Sequence, residues 1–149
     1  MAQPEMLSIA NVAKASIVGY NDKNWDRLRS ILSNDCVYDE VPSNRRTTGI
    51  DNTLSLWRGW AEAMPDSKAT FDNEFVMDNT VVVEITWRGT HSGVLRTPAG
   101  EFAPTGKKIQ IRACQVIEVS GERTKNIRHY FDMNSLLEQL GLSSATTSR

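Results

Sequence analysis

The stretch Thr80-Val81-Val82-Val83-Glu84-Ile85-Thr86-Trp87-Arg88-Gly89-Thr90-His91 decides the architecture. Val81, Val83, Ile85 and Trp87 fall on one side of it, and Val82, Glu84, Thr86 and Arg88 on the other, which is the two-residue period of a strand. Lys68–Met77 precedes it across an Asp78-Asn79 turn and reads as another strand. Downstream, Lys108–Val119, the turn Ser120-Gly121-Glu122 and the strand Thr124–Phe131 complete a meander. Consecutive long strands joined by tight turns predict an antiparallel sheet. Between them, Ser92–Lys107 holds three glycines and two prolines and reads as an extended loop or broken hairpin.

The N-terminal part has the other period. Ile9, Val12, Ala13, Ser16, Ile17 and Tyr20 recur at helical spacing. A second short helix carries Trp25, Leu28, Ile31 and Leu32, and Asn34-Asp35 then reads as a turn. Cys36–Val41 alternates as a strand closed by Pro42, and a polar loop runs over Ser43–Thr48. Asp51 is placed to cap a third helix bearing Leu54, Trp57, Trp60, Ala61 and Met64. A closing helix over Met133–Leu140 follows Asp132, whose position suits an N-cap. Residues 143–149 read as a frayed polar tail. Helices first and long strands after define an α+β layer architecture in a single domain spanning 1–149. A curved sheet wrapped around such helices encloses a pocket at one end.

Composition removes several function classes. Seventeen basic and eighteen acidic side chains give a net charge of -1, which offers no excess to hold a phosphate backbone, so no nucleic acid is expected as partner. No apolar run reaches the ~20 residues of a membrane span, and the N-terminus lacks a signal peptide's charged and apolar regions. The expectation is a cytoplasmic protein with no membrane partner. Cys36 and Cys114 sit among apolar neighbours and read as free thiols. The only two histidines lack metal-ligand spacing, and there is no glycine-rich phosphate loop, so neither metal nor cofactor is expected.

Met64-Pro65-Asp66, Gly89-Thr90-His91-Ser92-Gly93, Pro104-Thr105-Gly106-Lys107, Tyr130-Phe131-Asp132 and Leu136-Leu137-Glu138-Gln139-Leu140-Gly141 together resemble the SnoaL-like polyketide cyclase (ester cyclase) family. The resemblance runs from about Ser8 to Leu142. It implies a nuclear transport factor 2-like cone: a curved antiparallel sheet with N-terminal helices enclosing a deep pocket, and a homodimer formed through the sheet. It also implies a cofactor-free enzyme acting on a polycyclic or terpenoid small molecule. Limonene-epoxide hydrolases are a sister group with the same fold. Both groups place a catalytic carboxylate on the last strand just before Tyr-Phe-Asp, and here His129 stands at that position. Tyr38 and Glu40 match the strand that supplies a tyrosine and an asparagine in the epoxide hydrolases. Their arginine–aspartate pair has no clean match, Thr86 and Arg88 falling nearest.

Imidazole titrates near neutrality and so suits proton transfer. His129 shares a face with Ile127 and Phe131, and reads either as a neutral core residue bonded to the backbone or as an acid or base in a pocket. Tyr38 and Glu40 share a face of their strand. A buried glutamate needs a partner: Arg112 or Arg88 would make a structural ion pair, His129 a carboxylate–imidazole pair. The catalytic set expected is therefore His129, Glu40 and Tyr38. His91, Arg88, Arg112, Trp57, Trp60, Phe75 and Phe131 are expected to contact substrate. The function expected is cyclisation or isomerisation of an oxygenated apolar natural-product-type molecule by general acid–base catalysis. Epoxide hydrolysis and non-catalytic binding of a small ligand are the alternatives.

Overall fold

The computed structural model of the protein describes residues 3–142, so the tail expected over 143–149 lies outside the described residues. Two helices open the chain, α1 (Gln3–Asn21) and α2 (Trp25–Ile31), followed by β1 (Leu32–Glu40), a 3-10 turn (Val41–Ser43), β2 (Arg45–Thr48) and α3 (Ile50–Ala63). The strands β3 (Lys68–Met77), β4 (Thr80–Thr90), β5 (Leu95–Thr97), β6 (Gly100–Phe102), β7 (Lys108–Ser120) and β8 (Arg123–Phe131) follow, and α4 (Met133–Gln139) closes. None of the described helices is long and apolar enough to cross a membrane.

The long strands form a six-stranded sheet in the order β2-β1-β8-β7-β4-β3, and β5 and β6 make a separate hairpin. The sheet is mixed, not purely antiparallel as expected, because β1 runs parallel to β8. Between β1 and β8 the chain passes through β2, α3 and the whole meander, so no tight turn dictates their direction. That pairing sets Tyr38 opposite Ile127 and Glu40 opposite His129. Asn34-Asp35 lies inside β1, where the register shifts between Leu32 and Val37, and further shifts occur in β3 and between β7 and β8. Such bulges bend a sheet.

Alternation along β4 holds as read: Val81, Val83 and Ile85 are fully buried against the helices, while Glu84 and Arg88 face out. The helices pin themselves to this surface. Asn21, at the end of α1, both donates to the carbonyl and accepts from the amide of Ala69 in β3. Helix α3 begins differently from expectation. Gly49, with φ +91, takes the cap position, and Asp51 sits in the first turn, paired with Arg29 at 2.8 Å. Asp132 caps α4 as read, its carboxylate accepting from the Asn134 and Ser135 amides. The polar stretch expected as a loop contributes β2, whose Arg45 pairs in register with Glu40.

Two apolar clusters result. One joins α1–α3 to the inner sheet face through Ile17, Leu28, Leu54, Val83, Ile117 and Ile127. The other, around Met64, Leu95, Ile109, Ile111 and Leu136, closes the opposite end. Gly93 allows this closure: a Cβ there would collide with the Glu62 carbonyl at the end of α3.

Candidate active site

A cavity of about 90 Å³ lies where the two clusters meet, with Ile17 and Trp57 from one and Met64, Ile111 and Leu136 from the other in its wall. Tyr38, Glu40, Trp60, Trp87, Gln115 and His129 supply most of its polar atoms.

Parallel pairing of β1 with β8 brings Tyr38, Glu40 and His129 together on the inner face. Their hydrogen bonds have a fixed direction. Trp87 Nε1 lies 3.2 Å from His129 Nε2, and an indole N–H can only donate, so Nε2 must accept. In a neutral imidazole the proton then sits on Nδ1, which donates to Tyr38 Oη at 2.8 Å. The Tyr38 hydroxyl in turn donates to Glu40 Oε2 at 3.1 Å. Trp60 Nε1 donates to the same oxygen at 2.8 Å. The other oxygen, Oε1, accepts from Ser43 Oγ at 2.6 Å and forms an ion pair with Arg45 Nη2 at 2.7 Å. Glu40 is fully buried, and every group touching it is a donor. Those bonds are what make a buried carboxylate tolerable.

Burial dominates the titration of this cluster. It lowers the His129 pKa to about 4, against the opposing pull of the Glu40 charge. It also raises Tyr38 well above an ordinary phenol, and the Glu40 charge adds to that rise. Near neutral pH the cluster therefore holds a neutral imidazole and a neutral phenol.

Several expectations change. Glu40 is partnered by Arg45, not by Arg88 or Arg112, because β2 places Arg45 directly across the ladder. Tyr38 stands between Glu40 and His129, so these two do not meet as a direct pair. Arg88 and Arg112 project from the outer sheet face, where Arg88 reaches Gln110 and Thr70. Phe75 is 59% exposed, away from the cavity. His91 is buried but outside the cavity wall, its Nδ1 accepting from the Thr105 amide at 3.2 Å. Trp57, Trp60 and Phe131 do line the cavity. Cys36 is buried and Cys114 half-buried, and both are free thiols.

Several members of the site were not read as such from the chain, Arg45, Trp87 and Gln115 among them. Arg45 was hidden by the missed strand β2. Trp87 was placed on the inner face but given no role. Gln115 carried a legible signal: Ile109, Ile111, Ala113, Gln115, Ile117 and Val119 alternate inward along β7, and one amide interrupts an otherwise apolar row.

Residues 10–140 match the family model of the SnoaL-like polyketide cyclases. The chain belongs to that family. No curated protein matches it. Among solved structures, IdmH of Streptomyces antibioticus, proposed to be a polyketide cyclase, superposes on the SnoaL-like chain with TM-score 0.75 at 19% identity, covering 89% of this chain and 98% of IdmH. A limonene-epoxide-hydrolase-like epoxide hydrolase of M. tuberculosis gives TM-score 0.72 at 19% identity and covers 97% of each chain. A protein of ketosteroid isomerase-like fold from Catenulispora acidiphila gives TM-score 0.72 at 18% identity, covering 90% of this chain and 95% of that one. At these identities the likeness is one of fold. Family membership supports a small-molecule cyclase-type fold.

Proposed function

We propose that this SnoaL-like chain is a cofactor-independent isomerase or cyclase in which His129 is the general base. The observation that carries the reading is the directed chain of hydrogen bonds. It leaves Nε2 of His129, a residue that lines the cavity, unprotonated and held, among the described residues, by the Trp87 indole N–H alone at 3.2 Å. A substrate C–H or O–H taking the indole's place would meet a lone pair already aimed at it.

For an enolisable carbonyl compound, Nε2 takes a proton from the α-carbon, and the C–H electron pair becomes the enolate double bond. The imidazolium so formed keeps its Nδ1–H on Tyr38, whose own proton points to the Glu40 charge, so positive charge on the ring is stabilised at that moment. Return of the proton to another carbon completes an isomerisation. Attack of the enolate carbon on a second carbonyl, with the proton passed to the new alkoxide, completes a cyclisation. Holding the two reacting ends together is the cavity's contribution, and such confinement can be worth ~10^5 M in effective concentration. A volume of about 90 Å³ is well below the ~300 Å³ at which drug-sized sites begin, which favours a compact substrate.

Epoxide hydrolysis is the weaker reading. Opening an epoxide calls for a proton donor at the departing oxygen, yet the Tyr38 hydroxyl is committed to Glu40 and Glu40 to four donors. A homodimer through the outer sheet face belongs to the same proposal. Phe75, Met77 and Tyr130, at 59%, 74% and 41% exposure, give that face apolar surface to cover.

Proton exchange tests the reading without knowledge of the natural substrate. Wild-type protein should accelerate exchange of the α-protons of cyclohexanone for deuterium in D2O, followed by NMR, and His129→Ala should lose about 100- to 10,000-fold of that acceleration. Equal acceleration by both proteins would remove His129 from the chemistry. No acceleration by either, with cyclohexene oxide converted to a diol that takes up oxygen-18 from water, would put the hydrolase in its place.

A further inference from the structure

One polar group in the cavity wall is left out of the network. Gln115 is 5% exposed, and its Oε1 has no hydrogen-bond partner among the described residues. Around it, Tyr20 is bonded to Ser67, Trp87 to His129, and Tyr38 and Trp60 to Glu40. Burying an amide oxygen unpaired is costly, so such a group facing a cavity calls for a partner.

The position of Gln115 is as informative as its lack of a partner. On β7 it is the register partner of His129 on β8. Directly paired residues on adjacent antiparallel strands hold their Cβ atoms about 5 Å apart on the same face. A ligand lying over His129 Nε2 therefore lies within reach of the Gln115 carboxamide. Nothing in packing favours glutamine there, since the inward positions on either side, Ala113 and Ile117, are apolar.

We infer that the Gln115 carboxamide is the specificity-determining anchor of the cavity, accepting a hydrogen bond from a hydroxyl of a compact, otherwise apolar ligand. The inference rests on the reading of this cavity as the substrate site and adds the ligand's class: a carbonyl compound that also carries a hydroxyl, or its enol, a molecule that donates a hydrogen bond. A ligand without a donor leaves the buried oxygen unsatisfied, and the site discriminates against it on that account. The polar handle of the substrate is thereby placed beside the base, the reacting carbon falling next to it.

Trp57, Trp60 and Trp87 in the wall make intrinsic fluorescence the readout, with cyclohexanol, cyclohexanone and methylcyclohexane as probes. In Gln115→Met, which keeps the length of the side chain and removes both polar atoms, cyclohexanol should bind about five- to tenfold more weakly. Cyclohexanone, which cannot donate, should lose less, and methylcyclohexane should bind as well or better. The variant should also melt at or above the wild-type temperature, since an unpaired buried amide has been replaced by an apolar group. Equal weakening of all three probes, or a lower melting temperature with cyclohexanol affinity unchanged, would overturn the assignment and make Gln115 structural. Gln115→Leu repeats the comparison with a shorter side chain. Because binding is read without turnover, a failure here leaves the His129 exchange experiment standing, and a failure there leaves this one interpretable.

Discussion

The chain has two histidines, and the structure buries both, yet only one sits where chemistry can reach it. His91 closes the end of β4, its ring tied to Thr105 at the far end of the glycine- and proline-containing connection. Its backbone bonds to Lys107 and Gly106, so the residue works as a clasp that shuts the loop against the sheet. His129 has the same type of ring and similar burial, but its neighbours form a directed chain ending on a carboxylate, and the residue lines a cavity. Burial lowers the pKa of both rings. A depressed imidazole pKa is therefore no mark of a catalyst by itself. What separates the two is a place in the cavity wall and a charge placed to receive the proton's consequences.

The largest test of this contrast is thermodynamic. His129 titrates at about 4 in the folded protein and at ~6.5 once unfolded. Between those values the unfolded chain binds the extra proton, so stability is fully present above ~6.5 and is lost as pH falls toward 4. The loss attributable to His129 should approach ~3 kcal/mol across that window. Urea unfolding at pH 7 and pH 4.5 should show it, and His129→Asn should remove most of the slope. The residual slope belongs in part to His91, whose pKa is lowered in the same direction. A variant as acid-sensitive as wild type would mean that His129 is not held neutral by its surroundings.

Next in size is the link between His129 and its charge. Tyr38→Phe removes the hydroxyl that accepts from Nδ1 and donates to Glu40, while leaving Glu40 with Arg45, Ser43 and Trp60. The protein should fold, and α-proton exchange should fall on the order of 100-fold, as expected when the group orienting a catalytic imidazole is lost. An unchanged rate with intact structure would show that the ring works without the relay.

How much of this was legible follows from the range of each interaction. The inner face of β4, the positions of α2, β3 and α4, and the cap at Asp132 are set by neighbours a few residues away, and periodicity reports them. His129, Tyr38 and Glu40 could be read as sharing inward faces for the same reason. Their mutual geometry could not, because it depends on the parallel pairing of β1 with β8, which joins residues about ninety positions apart. Arg45 was missed at short range for a different cause: Arg45-Arg46-Thr47-Thr48 is polar throughout, and an edge strand exposed to solvent shows no apolar alternation. Arg88, Arg112 and Phe75 were assigned to substrate by residue type, although alternation along β4 already set Arg88 on the face opposite Val83 and Ile85. Residue type proposes chemistry; the strand face decides whether it meets the ligand.

The smallest effect is expected at His91, and it is the one that sharpens the contrast most. His91→Asn removes a buried ring and its bond to the Thr105 amide but touches nothing in the cavity wall. The cost should fall on stability: losing one buried hydrogen bond is worth about 1–2 kcal/mol, which lowers the melting temperature of a domain this size by roughly 3–8 °C. Exchange of cyclohexanone α-protons per folded molecule should stay within a factor of about two. The pH dependence of stability should change only slightly, because the larger acid-sensitive contribution remains at His129. If His91→Asn instead lowered exchange at unchanged melting temperature, the clasp would have a path into the cavity, and the separation between a structural and a chemical histidine would fail.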